Sequence, residues 1–206
     1  MIKLYQFQLS GNSHKVRLML SLLSLPYEAY DVSGASREQK SPEFLALNPF
    51  GQVPVLVHGD IVVRDSQAIL AYLGKTFGNG HWWPENASDL AQVVAWLSTA
   101  ANEVAYGPNL LRLHHRFGRE INLPAAEAVT TQLMQALEVE LTNKDWLLAF
   151  SPTVADVAMY PYIALAPDAK IDLSPYPAIR AWLARMQALP GYISMPGMWV
   201  SGQSSD

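Results

Sequence analysis

The chain contains no cysteine among its 206 residues. It can therefore form no disulfide bond, no zinc–thiolate site and no cysteine nucleophile of its own. Any sulfur chemistry that this protein performs must use a thiol carried by another molecule.

Basic residues and long apolar runs are also scarce. Lysine and arginine total 14 against 18 acidic residues, a formal net charge of −4, whereas nucleic-acid-binding proteins usually present a basic face to the phosphates. No apolar run reaches the roughly 20 residues of a membrane-spanning helix, and no signal-peptide core follows Lys3. We therefore expect a cytoplasmic protein that binds neither nucleic acid nor membrane.

The five histidines lack the spacing of a metal site. His114 and His115 are adjacent, so on a helix they point about 100° apart, whereas paired metal ligands usually stand four residues apart. We expect no metal.

The first part of the chain alternates between strand and helix patterns. The order is strand, helix, strand, helix, strand, strand, helix, which favours a four-stranded mixed sheet with helices packed on it. We assign an α/β domain to residues 1–78. The predicted strands cover 2–7, 27–32, 53–57 and 61–63, and the predicted helices cover 13–25, 41–49 and 65–73.

The rest of the chain shows only helical patterns. Glycine, proline and asparagine interrupt the periodicity just after residue 78, so we assign a linker to 79–88 and an all-helical domain to 89–206. A capping box formed by Thr153 and Asp156 is predicted to begin one of the helices. The predicted helices cover 89–117, 124–142, 153–165 and 177–188.

A polar cluster, Ser10 to Ser13, stands directly before the first helix. The start of a helix exposes unpaired backbone N–H groups and partial positive charge, which stabilise a thiolate or a carboxylate. The alternative is that Ser10 or Ser13 only caps the helix.

Pro54 stands at the start of a strand, where it cannot donate to the sheet. A cis Val53–Pro54 bond would turn the backbone N–H and C=O of Val53 outward, so that they could pair with a peptide-like ligand. The alternative is an ordinary turn that enters an edge strand.

Asp65 and Ser66 begin the third helix of the first domain. A carboxylate and a hydroxyl at this position could bind the amino and carboxylate groups of a ligand, with help from the helix N–H groups. The alternative is again a helix cap.

NPFGQVPVL at 48–56, followed by DSQAILAYL at 65–73, is a specific pairing of motifs. In a βαβαββα unit it resembles the cytosolic glutathione S-transferase family, in particular its bacterial, serine-type and theta-like members. The resemblance covers essentially the whole chain. It implies a thioredoxin-like N-terminal domain and a C-terminal helical bundle, with Asp65 where glutamate is commoner.

The resemblance implies a role for each motif. Ser10 is expected to hydrogen-bond the sulfur of glutathione with help from Asn12, and Ser13 is the alternative partner. The γ-glutamyl end is expected at Asp65 and Ser66. The full set of expected glutathione-binding residues is Gln39, Lys40, Gln52, Val53, Pro54, Asp65 and Ser66.

The electrophile pocket is expected in the helical domain. Tyr106, Asn109 and Arg112 fall where relatives line this pocket, and for each of them a purely structural role is the alternative. Gly107 and Pro108 are predicted to interrupt the helix there and to bend the wall beside a cleft.

The function implied is that of a glutathione transferase in detoxification. Glutathione is the co-substrate, the other substrate is a small hydrophobic electrophile, and the assembly is a homodimer. The alternatives are a glutathione-dependent peroxidase or disulfide reductase, and a non-catalytic binding protein that keeps the fold.

Overall fold

The computed structural model describes residues 1–148 and 151–202. Four strands form a mixed sheet: β1 Ile2–Gln6, β2 Tyr27–Asp31, β3 Val55–His58 and β4 Ile61–Arg64. Across the sheet their order is β2-β1-β3-β4, with β1 parallel to β2 and antiparallel to β3, and β3 antiparallel to β4. The helices between and after them are α1 Gly11–Leu22, α2 Pro42–Leu47 and α3 Ser66–Phe77. This arrangement confirms the predicted thioredoxin-like fold of the first domain.

The central strands of the sheet carry its buried face. Leu4 of β1 lies opposite Leu56 of β3, and both side chains are fully buried. Helices α1 and α3 pack against each other, and each buries an apolar face. The ends of these two helices, which carry the polar motifs, are thereby fixed relative to the sheet.

Helix α1 begins earlier and ends earlier than the predicted range of 13–25. It begins at Gly11 because Ser10 serves as its N-cap. It ends at Leu22, and Ser24 then adopts a left-handed conformation with φ of 53°. The apolar pattern continues to Leu25 and so conceals the true end of the helix.

The second part of the described chain is helical, and none of the helices in residues 1–148 and 151–202 combines the length and apolarity needed to cross a membrane. Residues 149, 150 and 203–206 of the predicted helical domain lie outside the described residues. The helices here are α4 Ala87–Ala101, α5 Glu103–Tyr106, α6 Pro108–Phe117, α7 Leu123–Leu141, α8 Val154–Ala164 and α9 Pro177–Gln187.

The long helical stretch predicted over 89–117 is helical and is divided into α4, α5 and α6. The predicted break at Gly107 and Pro108 is present, with Gly107 at φ −102° and ψ −100°. A side chain at Gly107 would approach Thr130 Oγ1 to 2.8 Å, so helix α7 requires glycine there. A second break, at Asn102 with ψ of −81°, has no strong breaker residue in the sequence.

Helix α8 lies at the centre of the molecule, where it packs against α1, α3 and α4, and every residue of the helix is buried. The predicted capping box is present: Asp156 Oδ2 accepts a 2.9 Å hydrogen bond from the Thr153 amide. The other carboxylate oxygen accepts hydrogen bonds from the Trp182 indole at 3.0 Å and from the Leu147 amide at 3.1 Å. Burial raises the pKa of Asp156 despite these donors.

Candidate functional site

The start of α1 separates the roles of the two candidate serines. Ser10 is partly exposed, and its Oγ accepts a 3.2 Å hydrogen bond from the Ser13 amide. Ser13 is fully buried, and its Oγ accepts a 3.3 Å hydrogen bond from the Phe7 amide. Because Ser13 offers no surface to a ligand, the geometry favours Ser10 as the serine that meets one.

The starts of α1 and α3 lie side by side. Ser66, the first residue of α3, is close enough for its Oγ to donate to Asn12 Oδ1 of α1 at 3.5 Å, and it also hydrogen-bonds Gln67. Two helix N-termini, each with unpaired amides and partial positive charge, therefore meet at one place. Such a place suits a ligand with more than one negative group.

Asp65 caps α3, as the alternative interpretation of this motif predicted. Its Oδ1 accepts hydrogen bonds from the amides of Gln67 at 2.9 Å and Ala68 at 3.1 Å. Its backbone has a φ of 72°, a conformation that costs energy for a residue other than glycine and that is typical of functional sites. The carboxylate is exposed, so capping through one oxygen leaves the other available to a ligand.

The Val53–Pro54 peptide bond is cis, as the motif predicted. The loop before it is held by Asn48, which is buried: its amide group donates to the Gln52 carbonyl at 2.7 Å and its Oδ1 accepts from the Phe50 amide at 3.1 Å. The asparagine of the NPFG motif therefore has a structural role that the sequence analysis missed.

A cleft runs between these elements. It brings together five of the predicted glutathione-binding residues and Asn12, and it adds Asn48, Phe50 and Arg64, which the sequence analysis did not single out. Arg64 stacks on the Phe50 ring at 4.7 Å from its centroid. The residues that line the cleft are Asn12, Asn48, Phe50, Gln52, Val53, Pro54, Arg64, Asp65 and Ser66.

Two predicted glutathione-binding residues lie beside this cleft and do not line it. Lys40 donates from Nζ to the Phe50 carbonyl at 2.9 Å, which ties it to the loop before the cis bond. Gln39 precedes it in a short 3₁₀ turn, Glu38–Lys40. A larger depression of about 370 Å³, next to Tyr5 and Tyr30, contains none of the predicted site residues.

The residues expected in the electrophile pocket differ in exposure. Tyr106 is 61% exposed, and Asn109 is partly exposed and donates to the Ala105 carbonyl at 3.3 Å. Arg112 is only 2% exposed and binds Asp168 Oδ2 through Nε at 3.0 Å. Its Nη1 donates to the Leu9 carbonyl at 2.9 Å, so Arg112 holds the backbone directly before Ser10.

The sequence analysis missed Tyr162, which α8 presents to the start of α1. A side chain at Gly11 would come within 2.6 Å of the Tyr162 ring, so the ring packs directly on this glycine. Burial raises the pKa of Tyr162, and the opposing influences are the Arg112 charge, the amides of Asn12 and Gly11 and the Ser10 hydroxyl. Tyr162 stands in an apolar run around Pro161, where nothing in the sequence separates it from a core residue.

Residues 1–148 and 151–202 contain no group of three or more histidine, aspartate or glutamate side chains placed to hold an ion. The site is built from hydroxyls, amides, the Asp65 carboxylate, the Arg64 guanidinium stacked on Phe50, and two helix N-termini.

Family comparisons cover both parts of the chain. Residues 9–76 match the model of the glutathione S-transferase N-terminal domain, and residues 92–190 match that of the glutathione S-transferase C-terminal domain.

Curated relatives match over most of their length and differ in activity. Glutathione S-transferase 1 of Dianthus caryophyllus is 32% identical, over 87% of this chain and 84% of that protein. The disulfide-bond oxidoreductase YfcG of Escherichia coli is 29% identical over 92% of each chain. Maleylacetoacetate isomerase of Rattus norvegicus is 33% identical, over 85% of this chain and 83% of that protein.

Solved structures are similar over nearly the whole chain. A possible glutathione S-transferase from Rhodopseudomonas palustris has a TM-score of 0.87 at 34% identity and covers 94% of this chain and 97% of its own. A glutathione transferase from Burkholderia graminis, with two glutathione molecules bound per subunit, has a TM-score of 0.81 at 25% identity, over 92% of this chain and 85% of its own.

Proposed function

The chain belongs to the glutathione S-transferase family, and from that premise we propose that it binds glutathione in the cleft between α1 and α3. It stabilises the glutathione thiolate there for attack on a small hydrophobic electrophile. Ser10 is the residue that meets the sulfur, and Asn12 assists it.

The observation that supports this proposal is the hydrogen bonding of the Ser10 hydroxyl. Its oxygen accepts a hydrogen bond from the Ser13 amide through a lone pair, so the O–H group remains a donor that the neighbouring Tyr162 oxygen and a bound sulfur both can use. Capping and sulfur binding are therefore compatible roles for one residue. Ser10 is partly exposed, unlike Ser13, so a ligand can reach it.

The thiolate is stabilised by the start of α1. The first turn of α1 contains no acidic residue, so the partial positive charge of the helix N-terminus is not cancelled locally. A free thiol has a pKa near 8.5, and such surroundings lower it toward neutrality. The thiol loses its proton to solvent, and the sulfur lone pair forms a carbon–sulfur bond while the leaving group departs or a strained ring opens.

Glutathione itself is an extended peptide with charged ends, and the cleft matches that shape. Asp65 binds the γ-glutamyl amino group and Ser66 binds the adjacent carboxylate. The Val53 backbone pairs with the cysteinyl residue, because Val53 lines the cleft at the cis bond before Pro54. Gln39, Lys40 and Gln52 face the glycine carboxylate.

The electrophile occupies the space in front of Ser10 on the side of the helical domain. Tyr106 and Asn109 form its wall, since both have exposed surface near the start of α6. Arg112 acts differently, because its guanidinium is buried against Leu9 and Asp168 and holds the Ser10 loop in place.

Glutathione-dependent disulfide reduction is the second candidate. It is favoured by the similarity to an Escherichia coli disulfide-bond oxidoreductase along nearly the whole chain. With no cysteine in the protein, two glutathione thiols must supply both sulfurs and both electrons, and the products are glutathione disulfide and two substrate thiols.

The assembly that we propose is a homodimer. Val94 on α4 and Phe50, which lines the cleft, are 47% and 59% exposed and are available to an interface. Val93 and Leu97 are buried and belong to the core of the subunit. The cytoplasmic location expected from the sequence stays a prediction.

Turnover with glutathione tests the function directly. The purified protein is incubated with glutathione and one member of a panel of aryl halides, epoxides, isothiocyanates, peroxides and mixed disulfides, and products are identified by mass spectrometry. A thioether adduct supports transfer, and glutathione disulfide with a peroxide or mixed disulfide supports the redox reaction. Glutathione binding without turnover of any substrate would indicate a binding protein.

A further inference from the structure

Lys15 is an unusual lysine. It lies on α1, two residues after Ser13, and its side chain is fully buried. Its Nζ atom has no hydrogen-bond partner in the described part of the chain. An ammonium group in this position has lost its water without gaining an acceptor, which is among the most costly arrangements in a protein.

The surroundings of Lys15 hold one aromatic ring and one carboxylate. Nζ lies 5.6 Å from the centre of the Tyr162 ring, at the range of a cation–π contact. Burial lowers the pKa of Lys15 to about 7, and the Asp65 charge opposes this shift. Near neutral pH the amine therefore exists in both protonation states.

Other ionisable groups near Lys15 are engaged elsewhere. On α3, Tyr72 hydrogen-bonds His58 and Lys75 pairs with Glu85. On α8, Asp156 is held by Trp182, and Tyr160 hydrogen-bonds Tyr192. On α1 itself, Arg17 binds Gln6, and burial lowers the pKa of His14 to about 3, so that this histidine is neutral. Arg112 of α6 binds Asp168 and the Leu9 carbonyl.

We propose that Lys15 is a further positioning residue of the glutathione site, which takes up a proton when the γ-glutamyl carboxylate of the ligand binds at Asp65 and Ser66. The positive charge of the Lys15 amine, which lies in the protein interior behind the cleft, then attracts the γ-glutamyl carboxylate of glutathione. The proposal rests on the proposed function, because glutathione must bring its carboxylate to the start of α3.

The direction of the proton movement follows from the charges. The γ-glutamyl end carries both charges: its ammonium pairs with exposed Asp65, and its carboxylate binds at Ser66, which lies against Asn12 of α1. The carboxylate is thus the ligand charge on the side of α1, where it favours the ammonium form of Lys15, so ligand binding raises the pKa of this amine. At pH 8 the free protein holds Lys15 mainly neutral, and binding takes up a proton. At pH 6 Lys15 is already charged, and the uptake disappears.

S-methylglutathione is the probe for this linkage, since it keeps both carboxylates of glutathione and has no ionisable thiol. Its binding is measured by titration calorimetry at pH 8 in phosphate and in Tris, two buffers that differ in heat of ionisation. A difference in apparent binding enthalpy between the buffers gives the number of protons taken up. We expect an uptake of at least about 0.4 proton at pH 8, as a rise in the Lys15 pKa from about 7 by about one unit gives, and much less at pH 6.

Lys15→Met keeps the length of the side chain and removes the amine. It is expected to abolish the uptake at pH 8 and to weaken S-methylglutathione binding at pH 6 by about tenfold, as for the loss of a charge-assisted contact. Lys75→Met is the matched control, because Lys75 is exposed and pairs with Glu85 on the surface. It is expected to leave uptake and affinity unchanged.

A second measurement does not depend on affinity. In protein with ¹³C-labelled lysine, the Cε resonance that is lost in Lys15→Met is followed against pH with and without S-methylglutathione. Its midpoint should move upward by at least about one pH unit on binding. Binding with no proton uptake and an unmoved midpoint overturns the proposal alone, whereas no binding of either glutathione or S-methylglutathione overturns it together with the proposed function.

Discussion

Arg112 of α6 donates a 2.9 Å hydrogen bond to the carbonyl of Leu9, the residue directly before Ser10. The two residues are 103 positions apart, so the helical domain fixes the backbone at the start of α1. The same guanidinium binds Asp168 at 3.0 Å, and Asp168 also binds Arg116 at 2.7 Å. The contact makes the thiol site dependent on both parts of the chain.

Replacement of Arg112 by methionine should therefore slow catalysis more than it weakens glutathione binding. The loop that carries Ser10 loses its anchor, and a small displacement of a catalytic group is costly. We expect kcat to fall by about tenfold or more, while calorimetry gives a dissociation constant for glutathione within a few-fold of wild type. Arg116→Met is the control, because Arg116 binds Asp168 without reaching Leu9; an equal loss of kcat there would contradict the role of the Leu9 contact.

Ser10→Ala separates sulfur binding from helix capping. If the Ser10 hydroxyl donates to the thiolate, its removal raises the pKa of the thiol of bound glutathione. Transition-state stabilisation then falls by about 1 to 3 kcal/mol. If Ser10 only caps α1, thermal stability falls by about 1 kcal/mol and the thiolate titration is unchanged. The measurement is the ultraviolet absorbance of bound thiolate against pH.

Ser13→Ala is the comparison for this titration. The Ser13 hydroxyl is buried and accepts from the Phe7 amide, so its loss should reduce stability and leave the thiolate titration in place. A shifted titration in Ser13→Ala with an unshifted one in Ser10→Ala would transfer the catalytic role to Ser13. No shift in either protein would assign thiolate stabilisation to the backbone amides and the helix dipole.

Asp65 can be tested in the same way with two substitutions. Asp65→Asn keeps an oxygen that caps α3 and tolerates the positive φ of this position, but it removes the charge. We expect glutathione affinity to fall more than tenfold with little loss of stability, because a charge-assisted contact contributes about 1.5 to 3 kcal/mol. Asp65→Ala should lose the same affinity and, in addition, about 1 kcal/mol of stability with the cap. Unchanged affinity in both variants would remove Asp65 from the ligand site.

The features that the sequence predicts are those with a local cause. A helix start needs a polar residue before it, so the sequence marks Ser10 and Asp65 as the caps of α1 and α3. The Val53–Pro54 bond is marked by its own proline. The mixed sheet follows from the alternation of short apolar segments with helices, whereas its register, with Leu4 opposite Leu56, is known only from the structure.

The features that the sequence does not predict depend on contacts between distant segments. Tyr162 looks like any apolar residue of α8 until the fold places its ring on Gly11. Lys15 is typical of the polar face of a surface helix, and it is buried only because α8 covers that part of α1. The break at Asn102 is equally hidden, because alanines on both sides, Ala100, Ala101 and Ala105, favour an unbroken helix.

Lys15 also leads to a prediction about stability, independent of any ligand. Its pKa is about 7 in the folded protein and near 10.5 when the chain is unfolded, so the unfolded state binds more protons between these two values. The free energy of unfolding therefore increases as the pH rises across this range. The buried charge is most destabilising at and below about pH 7. A methionine at this position carries no proton in either state and is free of that penalty.

We therefore expect Lys15→Met to be more stable than the wild type, by on the order of 2 to 4 kcal/mol at pH 6 and by much less at pH 10. Urea unfolding at a series of pH values gives the difference, and Lys75→Met again serves as the control because Lys75 is exposed. A methionine variant that is less stable at every pH would mean that the amine has an acceptor and contributes to the fold. A gain in stability together with the loss of ligand-linked proton uptake would mean that the chain keeps a destabilising lysine because glutathione binding requires it.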